Sequence, residues 1–258
     1  MRYGVCASID RLEAVRGAGF DYLELPIART LGPAVTSAQF AELLSLVERE
    51  GFPVEAGNGF FPAEVKVLDA EAPSAAIRDY VETVLERAAR LGMSVAVFGS
   101  GPSRAIPEGV SRASAEERAL ALLRMMGDVA AARGMTIAVE PLNASECNWL
   151  NTVSEVHRLV AVADHPAVRV LADLYHIEAA AEGFHGVLDA GMDIAHVHVS
   201  SRDRAAPRAE GADWTGLFRA LRALGYDARM SMECRWSRFE VEAPAGLEFL
   251  ERAWEETF

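Results

Sequence analysis

The sequence predicts an α/β fold, a (β/α)8 TIM barrel, built as a single domain over residues 1–258. Three observations predict it. Short β-rich apolar runs alternate with longer helical patterns without a break, each kind occurs eight times, and no linker or shift in composition marks a second domain. Strands that alternate with helices pair in parallel, and eight such units close most simply into a barrel. An open doubly wound sheet is the competing arrangement, weakened because no GxGxxG follows the first strand.

In chain order, strands are read at "YGVCAS", "YLELPI", "VEAGNGF", "SVAVFGS", "TIAVEPL", "VRVLADLYH", "IAHVHVS" and "RMSMECRW". The intervening helices are read at "DRLEAVRGAG", "SAQFAELLSLVEREG", "SAAIRDYVETVLERAARLG", "SAEERALALLRMMGDVAAARG" and "TVSEVHRLVAVAD". The Ala-rich stretch Ile177 to Ala190, "DWTGLFRALRALG" and "PAGLEFLERAWEE" complete the eight. Each places apolar residues at i, i+3, i+4 and i+7, the spacing of a helix with one buried face. Ser37, Ser114 and Thr152 are expected as N-caps, and Gly19, Gly51, Gly92, Gly134 and Gly225 fall just past helix ends.

Charge narrows the partners. A formal net charge of −13 opposes a polyanion, so neither nucleic acid nor an acidic membrane surface is expected as a partner. The one arginine cluster, Arg202, Arg204 and Arg208, is short and suits a small anionic or polyhydroxylated ligand. Cys6, Cys147 and Cys234 are odd in number and lack CxxC spacing, which points to a reducing cytoplasm. No leader pattern and no apolar run of spanning length is present, so a cytoplasmic location is expected. A homo-oligomer is left open.

In such barrels chemistry is placed at the carboxyl ends of the strands. Here strand five ends in Glu140, strand six in Asp173, strand seven in His198 and strand eight in Glu233. A single acidic strand end commonly caps a helix or pairs with arginine. Four on consecutive strands, at intervals of 33, 25 and 35 residues, point instead to a shared divalent ion. Three carboxylates and one imidazole are an oxygen-rich set suited to Mn²⁺ first, with Mg²⁺ or Co²⁺ as alternatives. His196 and His198 face the same side of their strand. His198 is nearer the rim and is expected as the ligand, with His196 a hydrogen-bonded interior residue one layer below.

With these residues in place, the chain resembles the xylose-isomerase-like barrels, and within them the D-tagatose and D-psicose 3-epimerase type of ketose epimerase. In that family the first metal Glu is followed six residues later by a substrate Glu, as Glu146 follows Glu140 in "EPLNASE". The metal Asp is followed three residues later by a substrate His, as His176 follows Asp173, and the metal His six residues later by a substrate Arg, as Arg204 follows His198. The resemblance therefore implies metal ligands Glu140, Asp173, His198 and Glu233, and substrate-binding Glu146, His176 and Arg204. The chain departs from the family after the last ligand, reading "ECRW" where the epimerases usually continue "EPF". The same family includes hydroxypyruvate isomerase, inosose isomerases and dehydratases, and enzymes acting on oxidised glycosides.

The expected chemistry is proton abstraction beside a carbonyl. A divalent ion would stabilise the enediolate, and Glu140 and Glu233 would serve as the acid and base pair. This makes a small carbohydrate the expected substrate and an isomerase or epimerase the expected enzyme. A metal-dependent lyase or dehydratase on a keto-sugar, keto-inositol or oxidised glycoside is the alternative, and a non-catalytic sugar-binding module a third. A DNA-repair nuclease on this barrel would need more strand-end histidines and a less acidic chain. Secondary candidates are Glu24 at the end of strand two, Asn58 and Phe60 after strand three, Trp149 and Trp236 as sugar-stacking rings, and the loop Gly99 to Arg104, which reads either as a phosphate cradle or as a tight turn.

Overall fold

The computed structural model describes residues 1–69 and 73–257. Its eight strands are β1 (Arg2–Cys6), β2 (Tyr22–Pro26), β3 (Val54–Asn58), β4 (Val95–Phe98), β5 (Thr136–Val139), β6 (Val168–Asp173), β7 (Ile194–Val199) and β8 (Arg229–Met232). They are hydrogen-bonded in sequence order, all parallel, and β8 returns to pair with β1 through Arg2↔Arg229 to Val5↔Met232. The closed (β/α)8 barrel expected from the alternation is therefore formed.

Several boundaries differ from the sequence reading, each for a local reason. Thr36 rather than Ser37 caps the helix Ser37–Glu50, in a capping box with Gln39. Ser111 rather than Ser114 caps Arg112–Ala131 by accepting the Ser114 N–H, while Thr152 caps Val153–Ala163 as expected. "LYH" is not strand: Asp173 ends β6 and its side chain accepts the Tyr175 N–H, starting the short helix Leu174–Ala179. The stretch Ile177 to Ala190 holds the end of that helix and a second one, His185–Ala190. "ECRW" lies beyond β8, and the last helix begins at Phe239 with Pro244 inside it.

Side-chain alternation sorts the strands into two cores. Val5, Leu23, Val139, Val197 and Met230 join the apolar helix faces in the core between barrel and helices. Tyr22, Ala56, Val95, Val97, Ala138 and Leu171 form a separate apolar layer inside the barrel. Below that layer, Glu55 takes Arg2 and Arg229, with Arg229 Nε at 2.6 Å. Above it the interior turns polar, with Glu24, His196 and Ser231 all fully buried. The barrel is thus closed at the bottom by ion pairs, plugged in the middle by hydrocarbon, and polar at the top.

Tyr22 fits because Gly4 on the neighbouring strand has no side chain; a Cβ there would overlap the Tyr22 ring. The ring directs its hydroxyl to Ser231 Oγ at 2.7 Å. Gly4→Ala should therefore destabilise the protein by about 1–3 kcal/mol through overpacking. Urea denaturation checks this, and an unchanged midpoint would show that the ring can move without cost.

Candidate metal centre

Glu140, Asp173, His198 and Glu233 each turn one ligand atom into a cluster whose atoms all lie within 4.8 Å of one another. Register produces this convergence. Asp173 stands opposite His198 across β6 and β7, after an irregularity between Val170 and Leu171, and Glu233 follows the Val199↔Met232 pair. Asp173 and His198 are fully buried, Glu140 nearly so, and Glu233 is partly open to solvent.

Each ligand is held from behind. Arg104, itself fully buried, donates to the Phe98 carbonyl at 3.0 Å and to the Glu140 carbonyl at 2.6 Å. Gly99 leaves room for the Glu140 carboxylate, since a Cβ there would overlap Oε2. The loop Gly99 to Arg104 is therefore structural: it contains a one-turn helix, and its arginine braces β5 rather than meeting a phosphate. Glu233 accepts from Asn58 Nδ2 at 3.1 Å and from Arg204 Nη1 at 2.7 Å. His198 meets Glu24 Oε1 through Nε2 at 2.8 Å and turns Nδ1 toward Glu140 Oε1 at 3.2 Å and Glu233 Oε2 at 3.8 Å.

The electrostatics follow from burial and crowding. Burial and the neighbouring Glu233 raise the proton affinity of Glu140. Burial pushes Asp173 up to about 6, with Arg204 opposing and Glu233 adding to the rise. Burial also acts on Glu233, but His198 and Arg204 outweigh it and hold that carboxyl below its usual range. Asp173 Oδ2 is buried and has no hydrogen-bond partner among the described residues. Its nearest cationic group is Arg204 Nη1 at 3.6 Å, too far for a hydrogen bond, and a buried carboxylate oxygen without one, grouped with two further carboxylates and an imidazole, makes a donor set that fits a hard or borderline divalent cation.

The three proposed substrate contacts also gather here. Glu146 and Arg204 line a cavity of about 370 Å³ together with Ser145, Tyr175, Glu233, Cys234 and Arg235. His176 lies behind Arg204, whose Nη2 is 2.9 Å from Nε2. The Asn143 backbone N–H donates to His176 Nδ1 at 2.9 Å. Both ring nitrogens of His176 therefore face donors, the Asn143 N–H at Nδ1 and the Arg204 guanidinium at Nε2, and a single neutral tautomer can accept from only one of them. Asn143 Nδ2 also reaches Glu146 Oε1 at 3.0 Å, tying the two together.

Several functional neighbours were weak or silent in the sequence. Trp149 is buried in the outer core and Trp236 packs edge-on against Phe239, so the ring that lines the cavity is Tyr175, under Arg204 at 3.9 Å from guanidinium to centroid. Phe60 is fully buried, and only Asn58 of that pair reaches the cluster. Glu24, expected at the end of strand two, lies in the middle of β2, where it is fully buried. Asn143 carried no signal, and Arg104 stood out only as the end of a candidate loop, because their partners are brought close only by the fold.

A model of the xylose isomerase-like TIM barrel family matches residues 12–253. A 3-dehydro-D-guloside 4-epimerase of Escherichia coli (strain K12) is 24% identical over 244 residues, which is 92% of this chain and 89% of that protein. A D-psicose 3-epimerase of Ruminiclostridium cellulolyticum is 26% identical over 228 residues, 86% of this chain and 76% of its own. A crystal structure of D-psicose 3-epimerase with D-tagatose from Clostridium cellulolyticum H10 superposes with a TM-score of 0.83 at 21% identity, covering 98% of this chain and 99% of the other.

If the cluster holds an ion, Mn²⁺, Mg²⁺ or Co²⁺ should raise the thermal midpoint, with a stabilisation of about 2.7 kcal/mol at a hundredfold excess over Kd. Asp173→Asn should abolish the shift. Melting curves with each ion and with chelator check this; a midpoint indifferent to all three would remove the metal assignment.

Proposed function

The chain belongs to the xylose isomerase-like TIM barrel family, and from that membership we propose that it is a divalent-metal-dependent sugar epimerase working through one barrel domain, residues 1–258. The observation that carries the reading is the pair Glu140 and Glu233. These carboxylates, from β5 and β8, share one ligand cluster beside one cavity. The relatives include epimerases for a free ketose and for a keto-glycoside, so the proposed substrate is a small carbohydrate carrying a ketone.

Glu140, Asp173, His198 and Glu233 would hold the ion, with Mn²⁺ first among the candidates. Bound there, a divalent ion supplies Lewis acidity to a chelating carbonyl and hydroxyl and favours the enediolate. The protein supplies the rest. Glu140 and Glu233 flank the substrate, one removing the proton beside the carbonyl and the other returning a proton to the opposite face. Arg104 and Gly99 fix the first carboxylate, while Asn58 and Arg204 fix the second. His176 and the Arg204 guanidinium would hold substrate oxygens, and Glu146 would accept from a hydroxyl. The Tyr175 ring forms part of the cavity wall.

Incubating the Mn²⁺-loaded protein in D₂O with ketoses, keto-inositols and 3-keto-glycosides should place deuterium on the carbon beside the carbonyl with the skeleton intact. Release of water or an aglycone would indicate the lyase reading instead, and no exchange with any of them would count against both. Glu233→Gln should lower kcat by about 10²–10⁴-fold while much of the substrate affinity survives, measured alongside ion content.

A further inference from the structure

We propose that Glu24 is a positioning residue of the metal centre: it fixes the proton of His198 on Nε2 and so presents Nδ1 to the ion. The inference rests on the metal-dependent reading above and deepens it.

A carboxylate inside a barrel costs several kcal/mol in lost hydration. The layer below shows that this barrel can be filled with Tyr22, Val95, Val97 and Leu171 instead. Glu24 is nonetheless fully buried on β2, and both oxygens are engaged. Oε1 takes His198 Nε2 at 2.8 Å, and Oε2 takes His196 Nε2 at 2.8 Å and the Ser231 hydroxyl at 2.6 Å. An ionised carboxylate only accepts, so both imidazoles donate through Nε2. With Nε2 committed to Glu24, Nδ1, the nitrogen that faces Glu140 and Glu233, is the one whose lone pair an ion takes when it displaces the Nδ1 proton.

The supporting groups point the same way. His196 has no hydrogen-bond partner at Nδ1 among the described residues, so its polar contacts lie on the Glu24 side, where Ser231 Oγ is also 3.4 Å from its Nε2. The Tyr22 hydroxyl meets Ser231 Oγ, whose own proton goes to Glu24. Three side chains from β2, β7 and β8 thus clamp one carboxylate against the back of one ligand. A rival arrangement uses Cys6, Glu24 and His198 as a second ion site. It would require His198 to give both nitrogens to metals, whereas the 2.8 Å contact to Glu24 is a hydrogen-bond distance.

A carboxylate behind a metal-bound imidazole typically contributes about 10- to 100-fold in metal affinity. Mn²⁺ titration followed by the EPR signal of the free ion should give one bound equivalent for the wild type and a loss of that size for Glu24→Gln. Circular dichroism of the metal-free proteins should be unchanged. In the Zn²⁺-loaded, ¹⁵N-histidine-labelled wild type, one imidazole should show a metal-bound Nδ1 and a protonated Nε2, and that Nε2 signal should move in Glu24→Gln. Ser231→Ala, which removes one donor to Glu24, should give a smaller loss and serves if Glu24→Gln does not fold.

Wild-type affinity in the folded variants would overturn the proposal while leaving the metal centre standing. Two bound equivalents, or a His198 bound through Nε2, would overturn it as well. A wild type that takes up none of Mn²⁺, Mg²⁺, Co²⁺ or Zn²⁺ would remove both this inference and the reading beneath it.

Discussion

Three carboxylates turned into one ligand sphere repel one another, and much of the barrel mouth is arranged around that repulsion. Two like charges 4 Å apart repel by about 4 kcal/mol at an effective dielectric of 20. Glu140, Asp173 and Glu233 each bring an oxygen within 4.8 Å of the others inside a largely buried rim. Each is therefore held by a feature that opposes escape. Arg104 braces the β5 backbone at Glu140, the Tyr175 N–H holds one oxygen of Asp173, and Asn58 and Arg204 hold Glu233. Cationic character at His198 and Arg204 supplies the balancing charge, and both groups have their proton affinity raised by the surrounding acids against the pull of burial.

The barrel and the ligand cluster were legible in the sequence because both depend on period. Strands recur about once per βα unit, and side chains alternate along each strand, so Glu140, Asp173, His198 and Glu233 could be placed on one rim by counting. What counting could not supply was lateral information. Asn58 lies 175 residues from Glu233 and Glu24 lies 174 from His198, yet both pairs are in hydrogen-bond contact. Such contacts depend on which strands neighbour one another and on register. The irregularities at Leu23/Glu24 and Val170/Leu171 alter register within the very strands that carry Glu24 and Asp173.

His196 and His198 show how little residue type decides. They sit two apart on one strand face, with ring centroids 5.0 Å apart, and both donate to the same carboxylate. Their surroundings separate them. His198 has acids on both sides, which hold it well above the ordinary imidazole range despite burial, whereas burial pulls His196 down. The lower histidine serves the acid, and the acid serves the upper one.

The loops beyond the rim follow a different logic. Arg204 adopts a left-handed backbone, φ 61°, which is uncommon for a residue with a Cβ and stores of order 1 kcal/mol or more of strain. Its N–H bonds to the Ser201 carbonyl at 2.8 Å, and its carbonyl accepts the Arg235 N–H at 2.6 Å, so the loops after β7 and β8 hold each other in that shape. The tie uses only backbone groups. The replacement of "EPF" by "ECRW" therefore leaves an N–H available at the position that reaches Arg204, because the third residue of either sequence supplies one. The side chains of Cys234 and Arg235 lie instead in the wall of the cavity, where they present a thiol and a guanidinium. The backbone scaffold that aims Arg204 and the side chains that line the cavity are thus separable, and "ECRW" alters the second.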